Sequence, residues 1–266
     1  MKFVIDSSLR KRFGFVAVAV IRVRLSEGAR ADVTKLEFLK ARALEKLLDL
    51  VSSGTPAELE QIESVAQWMQ AYKTMGLKSK KIKPTHYALA LRLVKDKVWP
   101  RAIGPIVDTY LSNQIVHLMP HGGFDVASLS GGTIRLLQSP GQQAFQPLGV
   151  AADEDERIET IKLGEVVYQD ESGIKPPVVV CRYWNHRDAE PTKIGDDHDD
   201  ETRSTKDFVL FVESIDGSET GQQKLLQTAA DLERAYGAVY GSGVKQSYVR
   251  LLEASLVDDA EISLDW

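Results

Sequence analysis

A nine-residue apolar run, FGFVAVAVI at 13–21, constrains this chain more than any other feature, because it has to be hidden from water. Arg10, Lys11 and Arg12 precede it and Arg22 and Arg24 follow, so it superficially resembles a secretory signal. It is far shorter than the roughly 20 residues that span a bilayer as a helix. Arginines also stand where a cleavage site needs small side chains. Val16, Val18 and Val20 alternate with Ala17 and Ala19, which is the period of a strand. The spacing therefore predicts a buried β-strand over 13–24 in a chain with no membrane segment.

A short strand near 2–5 precedes it. Residues 32–51 place Leu36, Leu39, Ala43, Leu47 and Leu50 at helical spacing. Thr55-Pro56 then opens a second helix that runs to about Met75, where Gly76 closes it. A third helix starts just after Pro84 and runs to 97, and a fourth covers 104–118. After Pro120-His121-Gly122-Gly123 the texture changes to short apolar runs at 133–137, 165–168, 178–184 and 207–214. These read as strands of one sheet, followed by a helix over 219–236 and a terminal segment ending EISLDW. Helices first and strands after them favour an α+β fold over a doubly wound parallel sheet.

Cys181 is the only cysteine, so an internal disulfide and a cysteine-based zinc site are both excluded, and a reducing, cytoplasmic setting fits. The net charge is −5, yet residues 73–101 carry nine lysines and arginines against Asp96 alone. Lys78, Lys80, Lys81 and Lys83 form the densest part. Such a stripe either draws an anionic partner to one face or is a solvated, lysine-rich linker and helix.

No phosphate loop, dinucleotide fingerprint, nucleophile elbow or HExxH is present. Gly122-Gly123 and Gly131-Gly132 lack phosphate-cradle spacing and read as turns. Of the five histidines, His117 and His121 are four apart, but Pro120 interrupts the helix between them. No metal and no cofactor is expected. The acidic run DDHDDE at 196–201 reads as a solvated loop. CRYWNHRD at 181–188 follows a buried strand, where loops commonly carry function. Alternation puts Val179, Cys181 and Tyr183 on one face and Val180, Arg182 and Trp184 on the other. Arg187 offers a planar fork for carboxylate or phosphate, and Asn185 both donates and accepts. The same residues also suit a structural loop held by an Arg187–Asp188 or Arg182–Asp188 network.

An ordered set of segments adds to this reading: KPTHYALALRLVKDKVWPRAIGPIVDTY, MPHGGFDVASLSGG, FQPLG, LGEVVYQDESG, CRYWNHRDAEPTK and FVLFVES. Together they resemble the freestanding relatives of the B-three/B-four domain, the editing domain of the phenylalanyl-tRNA synthetase β subunit. The resemblance runs from the first strand to the last helix. It departs from the family pattern at Leu111 and Gln114, where Asn and Ser are usual, and at Tyr87, where Glu is usual. His121 also falls one position early relative to Phe124-Asp125.

The resemblance implies one α+β domain over 1–266, with a mixed sheet packed against helices and a cleft between the two. Residues 1–80 would supply the first strand and helices, 81–216 the motif-bearing core, and 217–266 the last helix and a terminal strand. It implies binding of tRNA acceptor ends and hydrolysis of misacylated aminoacyl-tRNA, an ester hydrolase activity. The catalytic candidates are His121 to orient water, Asn185, and Arg187 to meet the terminal phosphate or ester carbonyl. Asp108, Glu165, Tyr183 and Trp184 are candidate substrate contacts, and Lys78, Lys80, Lys81 and Lys83 candidate RNA contacts. A non-catalytic module that binds an amino acid, nucleotide or RNA is the alternative.

Overall fold

The computed structural model describes residues 1–51, 55–78, 81–150, 157–195 and 204–265. Lys80 and the acidic run 196–201 lie outside the described residues. The apolar run becomes part of β2 (Ala17–Leu25), which is buried on both faces. The strand begins four residues later than expected because a short helix, α1 (Ser7–Phe13), separates it from β1 (Lys2–Ile5). Asp6 caps α1 by accepting from the Ser8 N–H, and Gly14 at φ 79° ends it in a conformation open to glycine.

β2 is a central strand of a four-stranded antiparallel sheet. Its neighbours are β10 (Asp207–Ser214) and β11 (Val244–Glu253), and β3 (His121–Asp125) lies beyond β10. Val18 and Val20 face a second sheet, whereas Ala17, Ala19, Ile21 and Val23 face helices. The second sheet is six-stranded and mixed. Its order is β12 (Ala260–Ser263), β1, β4 (Thr133–Gln138), β7 (Val166–Glu171), β8 (Val178–Arg182) and β9 (Arg187–Asp188). Only β1 and β4 run parallel among these pairs. A small hairpin of β5 (Ala144–Phe145) and β6 (Glu159–Thr160) covers part of its outer face.

Three helices cover the other face of the four-stranded sheet: α2 (Val33–Leu50), α6 (Pro105–His117) and α7 (Glu219–Tyr240). The helix expected over 55–75 is broken into α3 (Pro56–Gln61) and α4 (Glu63–Thr74) at Ile62, which is extended. Leu59 and Val65 would point about 120° apart on one continuous helix. The break lets both bury in one cluster with α5 (Thr85–Asp96). The fold is α+β, as expected, and among the described residues no helix is long and apolar enough to cross a membrane.

Further sequence expectations are corrected: the runs at 133–137, 165–168, 178–184 and 207–214 do not share one sheet, because 207–214 forms β10 of the four-stranded sheet and the other three lie in the six-stranded one. Gly122-Gly123 is not a turn but the middle of β3. A Cβ on Gly123 would lie 2.4 Å from Leu210 Cδ2 and 2.9 Å from the Val209 carbonyl, so glycine is what lets β3 close on β10. Residues 244–253, read only as part of a terminal segment, form the ten-residue strand β11. Their apolar positions alternate too weakly to announce an edge strand. Gly123→Ala should therefore cost roughly 1–3 kcal/mol, whereas Gly122→Ala, with nothing within 4 Å of its Cβ, should be close to neutral. Urea melts of the two variants would check this, and equal effects would contradict the assigned register.

Candidate functional site

The turn after β8 is where most of the sequence-predicted site residues meet. A bulge between Tyr168 and Gln169 shifts the β7–β8 register. Val180 and Cys181 consequently both face the core between the sheets, Val179 packs on the outer side, and Arg182 pairs outward with Glu165 and Glu159. The simple alternation that placed Arg182 with Trp184 does not hold. Tyr183 and Trp184 then adopt φ values of 54° and 67°, consecutive left-handed positions without glycine. Such conformations cost on the order of 1–3 kcal/mol each and persist only when their surroundings hold them.

The surroundings are specific. Trp184 is fully buried and packs edge-on against Phe13 and Trp68, each at 4.9 Å between ring centroids. Its backbone N–H donates to Val166 O at 2.7 Å. Tyr72 Oη, from α4, donates to the Tyr183 carbonyl at 2.8 Å and toward Asn185 Oδ1 at 3.2 Å. Asn185 Nδ2 donates to one oxygen of Glu213, and Tyr168 Oη donates to the other. Glu213 points from β10 into the same core as Val209 and Phe211, and only 1% of it is exposed. Burial pushes its carboxyl up to about 8, although the Tyr168 and Asn185 bonds pull the other way. Burial thus biases it toward the neutral acid.

A second network lies on the outer face. Arg182 makes two bonds of 2.8 Å to Glu165 and a third to Glu159, and Glu159 also holds Arg187. Glu165 and Arg182 are buried, while the Arg187 side chain is 41% exposed. The expected Arg–Asp188 network is replaced by these glutamates. The His186 ring lies close enough to the Lys83 backbone, on the chain between α4 and α5, to feel it electrostatically. Lys73, Lys78 and Lys81 are exposed along the same stretch, and Lys83 is half-buried.

His121 and Asp108 are elsewhere. In the β3–β10 register His121 stands opposite Val212, which faces the helices, whereas Glu213 faces the other sheet. His121 is thus on the opposite side of the four-stranded sheet from Asn185. Its Nδ1–H donates to Met119 O at 2.8 Å, and Nε2 meets the Asn113 amide at 2.7 Å. Burial lowers it to about 3, so the ring is neutral and Nε2 accepts. Asp108 caps the loop before α6 by accepting from the Ile103 N–H, 3.8 Å from the buried Lys40 ammonium.

Cavities occur elsewhere, one of them a shallow cleft of about 490 Å³ between Phe13 and α4. A second, of about 210 Å³, lies where α4, the end of β10 and the start of α7 meet, over Trp68, Met119 and Lys224. A third, about 610 Å³, is a groove between α2 and α7 floored by α6, including His117 and Asn113. None of the sequence-predicted site residues lines any of these. Among the described residues no three histidine, cysteine or acidic side chains come together to hold a metal ion. Comparison with protein-family models finds none that matches, and no curated protein matches the chain either.

Sequence reasoning passed over Glu213, Tyr72, Tyr168 and Glu159. Glu213 had a signal: in DFVLFVES it shares the strand parity of Val209 and Phe211. Its effect on stability has a definite sign. A carboxyl raised above its unfolded value stabilises fully below about 4.5 and loses that contribution as pH rises toward 8. The buried His86 and His121, both lowered to about 3, act oppositely and lose theirs as pH falls below 6.5. Glu213→Gln should match wild type near pH 5 and exceed it by a few kcal/mol by pH 8. Thermal melts across that range check this, and parallel curves would contradict it.

Proposed function

We propose that this chain is a freestanding aminoacyl-tRNA editing-like protein that binds a tRNA acceptor end at the 183–187 turn and hydrolyses misacylated aminoacyl-tRNA. One observation carries the reading: the basic stretch 73–83 is fastened to the turn. Tyr72, next to Lys73, holds the Tyr183 carbonyl, and the His186 ring lies near the backbone of Lys83. The exposed Lys73, Lys78 and Lys81 thus belong to the segment that begins at Tyr72, which is bonded to the turn carrying the exposed guanidinium of Arg187. Cations arranged along a short path bind phosphates, and binding falls with salt as counterions are released. The resemblance of CRYWNHRDAEPTK to the editing family supplies the reaction class.

The chemistry asked of the site is modest. Water adds to the ester carbonyl, the bond to the terminal ribose oxygen breaks, and that oxygen leaves with a proton. An aminoacyl ester needs orientation and charge stabilisation more than a strong nucleophile. Arg187 is placed to meet the terminal phosphate or the developing oxyanion. His121, on the far side of the sheet, takes no part in this version. The remaining stripe residues Arg92, Lys95, Lys97 and Arg101 are exposed along and beyond α5.

A binding module without catalysis is the second reading. It is favoured by the commitment of the nearby glutamates, since Glu165 and Glu159 are held by arginines and Glu213 is closed in the core by Tyr168 and Asn185. A deacylation assay with tyrosyl-phenylalanine-tRNA separates the two. Release of tyrosine that Arg187→Ala abolishes is expected for the editing reading. Binding of tRNA without release selects the module. In either case the Lys78→Glu/Lys81→Glu variant should bind tRNA about tenfold more weakly, with the salt slope reduced by about 1 to 1.5. Unchanged affinity would remove the basic stretch from the interface.

A further inference from the structure

Tyr183 and Trp184 share the same unusual backbone and have opposite fates. Trp184 is fully buried, whereas Tyr183 stays half-buried at the surface of the turn. The Tyr183 ring is backed by Arg182, whose guanidinium carbon is 4.4 Å from the ring centroid. That guanidinium is immobilised by Glu165 and Glu159, and it also lies 5.6 Å from the Phe145 ring centroid. The Tyr183 carbonyl is held by Tyr72. The result is a partly exposed ring backed on one face by a fixed guanidinium, on a turn that Tyr72 joins to the start of the basic stretch.

We propose that Tyr183, backed by Arg182, is the surface on which a base at the single-stranded 3′ end of an RNA stacks. This rests on the RNA-binding reading given above and adds the group that distinguishes a base from its phosphate. Aromatic rings next to cationic grooves serve single strands because every base has a π-face. A base inside a duplex is already stacked, so the platform selects unpaired ends. A ring that is already immobile loses little freedom when it is covered. The two glutamates beneath the platform are each paired with arginine, so they do not repel the approaching backbone. His186, with its ring centroid 6.3 Å from that of Tyr183, flanks the platform on the side of Lys83.

The test compares two single-stranded RNA probes of about 12 nucleotides, one intact and one abasic at its 3′-terminal positions. Full-length wild type, Tyr183→Leu and Tyr183→Phe are titrated with each, after thermal melts show all three folded. Tyr183→Leu should bind the intact probe about ten- to hundredfold more weakly with an unchanged salt slope. Tyr183→Phe should bind like wild type. Wild type should bind the abasic probe as weakly as Tyr183→Leu binds the intact one. If Tyr183→Leu binds the intact probe like wild type, or wild type does not distinguish the probes, the stacking assignment is overturned while RNA binding stands. If wild type binds neither probe, the RNA-binding reading fails and takes the stacking assignment with it.

Discussion

A carboxyl group inside the core ties this structure together. Glu213 comes from the four-stranded sheet, and Tyr168, which bonds it, comes from the six-stranded one. Asn185, which bonds its other oxygen, comes from the turn after β8 and is itself touched by Tyr72 of α4. Four separate pieces of the chain thus converge on one buried acid. Such a group is costly to bury unless its bonds are made, and a partly satisfied network is worse than none. The same bonds that pin the two sheets therefore pin the turn. They hold Tyr183 and Trp184 in backbone conformations that neither residue prefers.

That coupling explains how a scaffold feature becomes a surface feature. With Trp184 plugged between Phe13 and Trp68, the next positions have little freedom, and Arg187 and His186 are set on the outside. On the other side of the six-stranded sheet, Arg182, Glu165 and Glu159 form a closed ion network that keeps the guanidinium under Tyr183. Buried ion pairs add little net stability but specify geometry. Here the geometry specified is that of a ring and a guanidinium.

Much of the fold was legible because its dominant signals are local and periodic. The apolar run at 13–21 had to be a buried strand, and α2, α5, α6 and α7 follow from spacing and breakers. What was hidden depends on partners distant in sequence. Ile62 breaks a helix so that Leu59 and Val65 share a core, and β11 is a strand because β2 offers it an edge. At the site, Asn185, Tyr183 and Trp184 stood out in the sequence by their position after an apolar strand. Their partners were not. The bulge opposite Tyr168 turns Arg182 away from Trp184, and strand parity sends His121 to the opposite face from Asn185. A one-residue change of register moves a side chain through a sheet, and sequence spacing does not report it.

On the function proposed above, the 183–187 turn and the basic stretch that begins at Tyr72 form one RNA-binding surface. Amide hydrogen exchange of the chain, with and without deacylated tRNA, is the direct test. Slower exchange is expected at 72–83 and 182–188 on adding tRNA, with the groove between α2 and α7 unchanged. Protection confined to that groove, or absent from both segments while tRNA is bound, would contradict it.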